Sequence, residues 1–269
     1  MTGTEELRQK KVDEKLEHTL RLVEKRDKFL IKDRSADRAV LEEVFDRSTL
    51  MVIYDLMNMG KIDRLHGVVS TGKEARIYWA IDKNGCEIAV KIYLTVSAEF
   101  RRGKMIYIEG DPRFRNVRRN SRAITYLWAQ REFKNLKAAY NADVPVPKPI
   151  LVTKNVLLME FVGKNGKPAP TMKEKPPSRP KKVYEMLLSH IKKLYKKAEL
   201  VHGDLSEYNI MIWRGKPIIF DLSQAIPLKH PMATQFLRRD IMNLNKYFRL
   251  LGVKVMSSED AYRWVTEDG

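Results

Sequence analysis

The chain has 269 residues, 43% hydrophobic and 32% charged, so it is long enough for two lobes with a sizeable core and is not disordered overall. Lys and Arg exceed Asp and Glu to give a formal net charge of +17, which favours nucleotides, nucleic acid or anionic membranes as partners, with a merely soluble basic protein as the alternative. The single cysteine, Cys86, excludes an internal disulfide and a thiolate metal cluster, and the lack of a signal-peptide core or membrane-length apolar run predicts a cytoplasmic protein with no membrane partner.

The first 66 residues are predicted to form a helical extension. Apolar residues recur at helical spacing at Val12, Leu16, Leu20 and Val23. This spacing predicts an amphipathic helix with a docking face. A second helix is predicted from Ser48 or Thr49, as its N-cap, to Met59, with Gly60 just beyond its end.

Strands are predicted next. Residues 67–94 are rich in β-branched and aromatic types and contain a turn signal at Asp82-Lys83-Asn84-Gly85, a pattern that predicts three strands joined by two turns. A further hairpin is predicted in the segment ILVTKNVLLMEFV, with its turn at Lys154-Asn155.

A mobile basic loop is predicted over residues 101–122. The segment holds eight Arg and Lys residues against Glu109 and Asp111, a net charge of +6, and two glycines and a proline interrupt it. A strong helical pattern begins at Ser121.

The C-terminal part is predicted to be mostly helical. Residues 163–182 are rich in Gly, Pro and Lys and are typical of a linker between lobes. An amphipathic helix is predicted over 183–197, two short strands around 210–213 and 218–220, and another helix over 231–252.

The strongest chemical signal is VHGDLSEYNIMIW followed by IIFDLSQA. Asp204 and Asn209 are five positions apart and Asp221 follows twelve positions later, as the catalytic-loop Asp, the Asn and the strand-end Asp do in protein kinases. Such an Asp accepts or orients the proton of the attacking hydroxyl. The amide and carboxylate oxygens suit magnesium, which prefers hard oxygen ligands. The alternative is that these residues are ordinary turn formers.

A second constellation supplies phosphate-binding groups. The backbone N–H groups of a turn between two strands can face a triphosphate, and Lys91 in AVKIY occupies the position of the kinase phosphate lysine, with Glu132 as its partner. The predicted turn residues are Ser70, Thr71, Gly72, Lys73 and Glu74. The near-match to a P-loop fails, because Glu74 replaces the required Ser or Thr and a strand follows instead of a helix.

The segments STGKEA, AVKIY, LLMEF, VHGDLSEYN and FDLSQA, in that order, resemble the RIO-type atypical serine/threonine kinases, in the branch without an N-terminal winged helix. The resemblance implies an α+β, two-lobed protein-kinase-like fold, truncated relative to ordinary kinases. An antiparallel sheet plus a helix would form the N-lobe (67–162), and a smaller, mostly helical C-lobe (163–269) would follow.

The resemblance assigns catalysis to Asp204 with Lys91 and Glu132, and metal binding to Asn209 and Asp221. It adds a hinge whose backbone would meet the adenine of ATP, formed by Met159, Glu160 and Phe161. The implied cofactors are ATP and Mg²⁺, with Mn²⁺ as an alternative. The G-x-G-x-x-G loop and A-P-E segment of ordinary kinases are missing, which puts phosphorylation of free peptides in doubt.

The implied function is a serine kinase or ATPase in maturation of the small ribosomal subunit, acting as a monomer or weak oligomer. The 101–122 loop and the lysines of 164–197 would contact rRNA, or else form a solvated cationic surface. Ser121 is a candidate autophosphorylation site or, alternatively, a helix N-cap. Two other functions stay open: an aminoglycoside-type small-molecule kinase, which needs an acidic substrate pocket, and a non-catalytic RNA-binding factor gated by nucleotide.

Overall fold

The computed structural model of the protein describes residues 46–94, 98–111, 113 and 120–267. The chain from Thr49 onward forms one compact unit. The amphipathic helix predicted near residues 12–23 lies outside the described residues.

A five-stranded antiparallel sheet forms the first part of this unit. Its strands are β1 (Arg64–Thr71), β2 (Ala75–Ile81), β3 (Glu87–Tyr93), β4 (Pro149–Thr153) and β5 (Val156–Glu160). They lie in the order β1-β2-β3-β5-β4, so β3 occupies the centre. The β4–β5 hairpin turns at Lys154-Asn155, as the sequence predicts, with Thr153 opposite Val156.

Three helices accompany the sheet: α1 (Arg47–Asn58), α2 (Ala98–Glu109) and α3 (Ser121–Asn141). Helix α1 begins at Arg47, so the prediction of an N-cap at Ser48 or Thr49 is wrong. Thr49 lies buried in the first turn, where its hydroxyl accepts a hydrogen bond of 2.9 Å from Asn155. The side chain of Asn155 also donates to Tyr93 O and thereby joins α1 to the sheet.

The N-cap of α3 is Asn120, whose side chain accepts from the N–H of Ala123 at 2.7 Å. The alternative prediction that Ser121 is the N-cap is therefore wrong by one residue. Asn and Ser are almost equally good caps, so the local sequence does not choose between neighbours.

The mobile loop predicted over 101–122 is wrong in its first part, because α2 continues to Glu109. Lys104 of this helix is buried above the ring of Trp128 in α3, with 3.6 Å between its ammonium and the ring centroid. Gly103, which was expected to interrupt regular structure, lies exposed within the helix. Tertiary contacts thus outweigh the weak helix propensity of the segment. Residues 114–119 lie outside the described residues.

The rest of the unit is mainly helical, with α4 (Pro180–Lys196), α5 (Ala233–Leu250) and α6 (Ser258–Thr266). Short antiparallel pairs connect them: β6 (Gly163–Lys164) with β7 (Lys167–Pro168), β8 (Leu200–Val201) with β11 (Ile226–Pro227), and β9 (Ile210–Trp213) with β10 (Lys216–Ile219). The predicted linker therefore contains a small hairpin, β6–β7. Glu87 of β3 fixes it by accepting hydrogen bonds from the N–H groups of Asn165 and Gly166.

One hydrophobic cluster passes from the sheet through α3 into the C-terminal helices. It includes Leu157 on β5, Leu136 on α3, Leu187 on α4 and Phe248 on α5. Because a single core serves both halves, groups at the junction between them are held on packed elements.

Gly103 offers a test of α2. Replacing it with Ala should raise the free energy of unfolding by about 0.5 to 1 kcal/mol, because Ala favours a helix interior and the space around Gly103 is open. Replacing it with Pro should lower the free energy of unfolding by about 3 kcal/mol. Urea denaturation of both variants measures this difference, and a Pro variant as stable as the wild type would contradict a helix here.

Candidate active site

The ammonium group of Lys91 joins three separate elements. Lys91 projects from the central strand β3, and its Nζ lies 2.8 Å from Oε2 of Glu132 on α3 and 3.0 Å from Oδ1 of Asp221, just after β10. Lys91 is 6% exposed and Glu132 is completely buried. The structure thus brings together three of the residues singled out by the sequence, which are up to 130 positions apart.

The charges of this triad depend on one another. Burial opposes the charged form of Lys91, yet the carboxylates of Asp221 and Glu132 raise its pKa above the usual range. Burial also opposes ionisation of Asp221, but Lys91 and the Ser223 hydroxyl bring the pKa of Asp221 down to about 2. For Glu132 burial prevails over Lys91 and raises the pKa to about 7.

Asp221 combines a buried anchor with an exposed face. Its Oδ1 accepts hydrogen bonds from Lys91 and from the Ser223 hydroxyl at 2.9 Å, while its side chain remains 47% exposed. Its φ of +60° is a left-handed conformation that Asp tolerates better than most residues. The anchored carboxylate therefore presents oxygen to solvent in a fixed direction.

Helix α3 also holds the segment that follows Asp221. The side-chain amide of Asn135 donates to the carbonyls of Leu222 and Ala225 at 2.8 and 2.9 Å, and Arg131 donates to Ala225 O at 2.8 Å. Both α3 side chains are fully buried. The sequence pattern did not indicate their roles, although a polar residue directly before Glu132 and another one turn after it were an available signal.

The catalytic loop predicted from the sequence closes on itself. The side chain of Asn209 accepts from the N–H of Ser206 at 2.8 Å and donates to the carbonyl of Asp204 at 2.6 Å. The Asp204 carboxylate is exposed and receives a long contact, 3.4 Å, from Gln224. Burial raises its pKa, with help from Asp221 and Glu74 and against Arg239. A carboxylate of raised pKa is a better proton acceptor.

Asp240 on α5 holds the backbone of this loop, and the sequence pattern did not indicate this role. Its two oxygens accept hydrogen bonds from the N–H groups of Gly203 and Leu205, at 2.8 and 2.9 Å, on either side of Asp204. Burial raises the pKa of Asp240 to about 7 against these donors. An acidic residue within the apolar stripe of Leu237 and Leu244 was the signal that could have revealed it.

A cavity of about 250 Å³ is lined by residues that neighbour Lys91 and Asp221 along the chain. Its walls include Ile77, Ala89, Met159, Phe161, Met211 and Phe220. Ala89 precedes Lys91 by two residues on the same face of β3, and Phe220 precedes Asp221 directly. The cavity therefore offers an apolar slot that ends beside charged groups.

The predicted hinge lines this cavity, since Met159, Glu160 and Phe161 are all among its walls. The N–H of Glu160 donates to Lys148 O at 2.9 Å, and that of Phe161 donates to Glu87 O at 3.4 Å. Both of these N–H groups are therefore engaged within the protein, and Met159 is paired with Ala89 in the sheet.

The predicted phosphate-binding turn is short, because β1 extends to Thr71 and β2 begins at Ala75. The N–H of Gly72 donates to the carbonyl of Ala75 at 2.9 Å and closes it. Ser70 lines the cavity, and Lys73 is exposed. The turn places Glu74 against an ammonium group, 2.5 Å from Lys104 Nζ on α2.

The donor set suits magnesium better than a metal that needs a complete protein cage. The described residues contain no group of three or more His, Cys, Asp and Glu side chains that could hold a metal ion. Asp221 and Asn209 instead offer one carboxylate and one amide oxygen. Magnesium is typically held by one or two carboxylates, with phosphates and water completing its shell. The two residues therefore fit a magnesium ion that arrives with a phosphate ligand.

Comparison with known proteins gives a consistent picture. The family model described as the RIO domain matches residues 76–261. The chain is 39% identical over 251 residues to the serine/threonine-protein kinase rio1 of Schizosaccharomyces pombe, covering 91% of this chain and 50% of that protein. It is 40% identical over 243 residues to the RIO-type serine/threonine-protein kinase Rio1 of Haloferax volcanii, covering 90% of this chain and 83% of that protein. The chain thus spans half the length of the fission-yeast relative and most of the archaeal one.

Solved structures agree on the architecture. Rio2 kinase from Chaetomium thermophilum is similar with a TM-score of 0.63 and 24% identity over 81% of this chain and 67% of that chain. Its ADP/Mg²⁺-phosphoaspartate complex gives a TM-score of 0.61 at the same identity, over 81% of this chain and 66% of that chain. The predicted two-lobed α+β kinase-like fold is confirmed. In the part of the chain that the structure describes, no helix is long and apolar enough to cross a membrane.

Replacing Lys91 with Met should make stability depend more strongly on pH. The pKa of Glu132, about 7, exceeds the unfolded value of about 4.3, and loss of the opposing ammonium raises it further. A carboxyl group with a raised folded pKa binds more protons in the native state than in the unfolded state. Stability therefore falls as the pH rises from the unfolded pKa to the folded pKa. The difference in free energy of unfolding between the wild type and the less stable variant should therefore grow by about 1 to 3 kcal/mol between about pH 6 and pH 9.

Urea denaturation across that pH range measures the deficit. The double variant Lys91→Met/Glu132→Gln is the matched control and should show no widening, because it lacks the carboxyl group that titrates. A single variant whose deficit stays constant with pH would contradict the proposed coupling.

Proposed function

The chain belongs to the RIO family of serine/threonine protein kinases, and from this premise we propose that it transfers the γ-phosphoryl group of ATP in a magnesium-dependent reaction. The contact of Lys91 with both Glu132 and Asp221 carries the proposal. It fixes an ammonium group and a half-exposed carboxylate beside an apolar cavity. A phosphotransferase acts chiefly by positioning and electrostatic stabilisation, and this arrangement supplies both.

The nucleotide would bind with its base in the cavity and its phosphates toward Lys91. Apolar side chains such as Ile77, Ala89 and Phe220 suit the faces of a purine ring. The backbone of residues 159–161 lies along the same cavity and would meet the edge of the ring. Lys91, held rigidly by two carboxylates, would then meet a phosphate oxygen.

Asn209 and Asp221 would hold the metal. Mg²⁺, or Mn²⁺ as an alternative, would neutralise charge on the phosphates when bound. Asn209 is kept in place by its hydrogen bonds to Ser206 and Asp204, and Asp221 by those from Lys91 and Ser223. Hydrogen bonds thus hold both side chains in place before a metal binds.

Asp204 would orient the acceptor hydroxyl and take its proton. A bond forms between the acceptor oxygen and the γ-phosphorus, the bond from that phosphorus to the β,γ-bridging oxygen breaks, and ADP leaves. The hydroxyl proton passes to the Asp204 carboxylate and then to water. The raised pKa of Asp204 suits this role, and Asp240 holds the flanking backbone.

The acceptor is proposed to be a protein serine, on this chain or on a docked partner, with water as the ATPase alternative. The chain runs from Asp221 through Leu222–Gln224 directly to β11 and α5, so the described residues between Asp221 and α5 include no long segment to grip a free peptide. Ser121 is one candidate acceptor. The Rio2 complex with ADP and Mg²⁺ contains a phosphoaspartate, which adds an aspartate as a third acceptor class.

The cellular target is proposed to be the pre-ribosomal small subunit, contacted through rRNA in the cytoplasm by a monomer or weak oligomer. The net charge of +17 and the exposed lysines between residues 164 and 197 support this proposal. Lys104 was counted with the predicted basic loop, but it is buried and ion-paired, so it does not contribute to such a surface.

Turnover of ATP labelled at the γ-phosphate tests the proposal. Wild-type protein with Mg²⁺ should release or transfer the label, and Asp204→Asn should reduce the rate by about 10² to 10⁴-fold while ATP binding persists. Asp221→Asn should weaken the dependence on Mg²⁺ and lower turnover as well. Asp55→Asn, an exposed position on α1, is the matched control.

The chemistry of the label identifies the acceptor. Phosphoserine survives hydroxylamine, an acyl phosphate on aspartate does not, and water as acceptor gives free phosphate only. ATP that binds but never turns over, even with small-subunit particles, would refute the enzymatic proposal and favour a nucleotide-gated RNA-binding factor.

RNA binding has its own measurement. Affinity for small-subunit rRNA should fall linearly with the logarithm of salt concentration, because basic side chains displace counterions. Replacing Lys164, Lys167 and Lys173 with Gln together should weaken binding and lower the salt slope, while the ATP affinity stays unchanged. A slope equal to that of the wild type would exclude these lysines as the RNA contact.

A further inference from the structure

Helix α2 inserts a second ammonium group into the site. Lys104 is 4% exposed, and its Nζ lies 2.5 Å from Oε2 of Glu74 in the turn between β1 and β2. The same ammonium lies 3.6 Å from the ring centroid of Trp128. Buried charges persist when they are paired, so this lysine depends on an anion beside it.

The Glu74–Lys104 ion pair lies within electrostatic range of the triad. Burial lowers the pKa of Lys104 to about 8, Glu74 and Asp221 oppose that change, and Lys91 adds to it. Glu74 in turn contributes to the raised pKa of both Glu132 and Asp204. The pair therefore lies within electrostatic range of the groups that would receive the phosphates.

The helix itself is held in place beyond Lys104. Arg131 on α3 donates to the carbonyl of Tyr107, and Nε2 of His230 donates to the carbonyl of Ile106 at 3.0 Å. These bonds fix the backbone of α2 against α3 and the segment before α5. The long, flexible stem of Lys104 can nevertheless change the direction of its ammonium group while the helix stays.

We propose that Lys104 is a second phosphate-binding lysine, which leaves Glu74 and binds the terminal phosphate of ATP. The inference rests on the proposed ATP binding. A triphosphate close to Glu74 repels its carboxylate and offers Lys104 an anion of greater charge. Charge-assisted hydrogen bonds to phosphate are among the strongest that proteins form.

This exchange makes the partner of Lys104 depend on the nucleotide bound. ATP, which has a terminal phosphate within reach, releases Glu74 from Lys104. A nucleotide without that phosphate leaves the ion pair intact. The protein therefore distinguishes ATP from shorter nucleotides by the partner of a single buried lysine.

Nucleotide affinities test the proposal. With Mg²⁺ present, Lys104→Met should weaken ATP binding by about 10 to 100-fold and AMP binding by no more than about twofold. Lys104→Arg should restore most of the preference for ATP over AMP, because it retains the charge. Lys137→Met, an exposed lysine on α3, is the matched control and should bind both nucleotides like the wild type.

The variant Glu74→Gln tests whether Lys104 leaves Glu74 when ATP binds or whether Glu74 only holds Lys104 in place. Removing the competing carboxylate should increase the ratio of ATP to AMP affinity. If this variant instead loses ATP affinity as Lys104→Met does, Glu74 holds Lys104 in place during binding and the exchange is refuted. Equal losses of ATP and AMP affinity in Lys104→Met also overturn the proposal. So does a Glu74→Gln variant whose ratio of ATP to AMP affinity equals that of the wild type.

Two further readouts keep the outcomes distinct. Thermal unfolding of each variant shows whether the fold is retained, and Lys104→Gln replaces the Met variant if that one does not fold. A wild-type protein that binds neither ATP nor AMP would refute the proposed function itself. A wild type that binds both, with Lys104 variants of unaltered preference, would refute only the role of Lys104.

Discussion

The ion pairs of Lys91 are the constraint on which the rest of the site depends. Taking the Lys91 ammonium and the Glu132 carboxylate out of water costs free energy that only close pairing returns. The ammonium on β3 must therefore keep both Glu132 and Asp221 within hydrogen-bond distance. The two carboxylates belong to α3 and to the segment after β10. The ammonium of Lys91 therefore links the sheet to both α3 and the C-terminal part.

Helix α3 extends this constraint beyond the triad. Asn135 and Arg131 bind the carbonyls that follow Asp221, so the helix that supplies Glu132 also shapes the backbone next to the Asp221 carboxylate. A displacement of α3 would then disturb the Lys91 pair and the Asp221 backbone together. The chain enters α5 soon afterwards, so the described residues between Asp221 and α5 form only a short connection.

The sequence predicts what depends on short-range patterns and misses what depends on contacts between distant residues. The β4–β5 hairpin follows from local turn chemistry, and the spacing of Asp204, Asn209 and Asp221 is a property of one short stretch. Helix α2 was missed because its stability comes from Lys104 over Trp128, a contact with another helix. Asp240 lies more than 30 positions from the loop that it supports, so no local spacing reveals it.

The charge balance of the candidate active site links the ion pairs of Lys91 and Lys104. In the described structure Lys91 and Lys104 each already have carboxylate partners, so neither ammonium is held in reserve for a ligand. A triphosphate that enters adds negative charge beside Asp204, Asp221 and Glu74. It can be accommodated only if it brings a cation with it, if a carboxylate gives up its lysine, or both. The proposed requirement for a divalent metal and the proposed exchange of partners at Lys104 would thus both meet the same electrostatic demand.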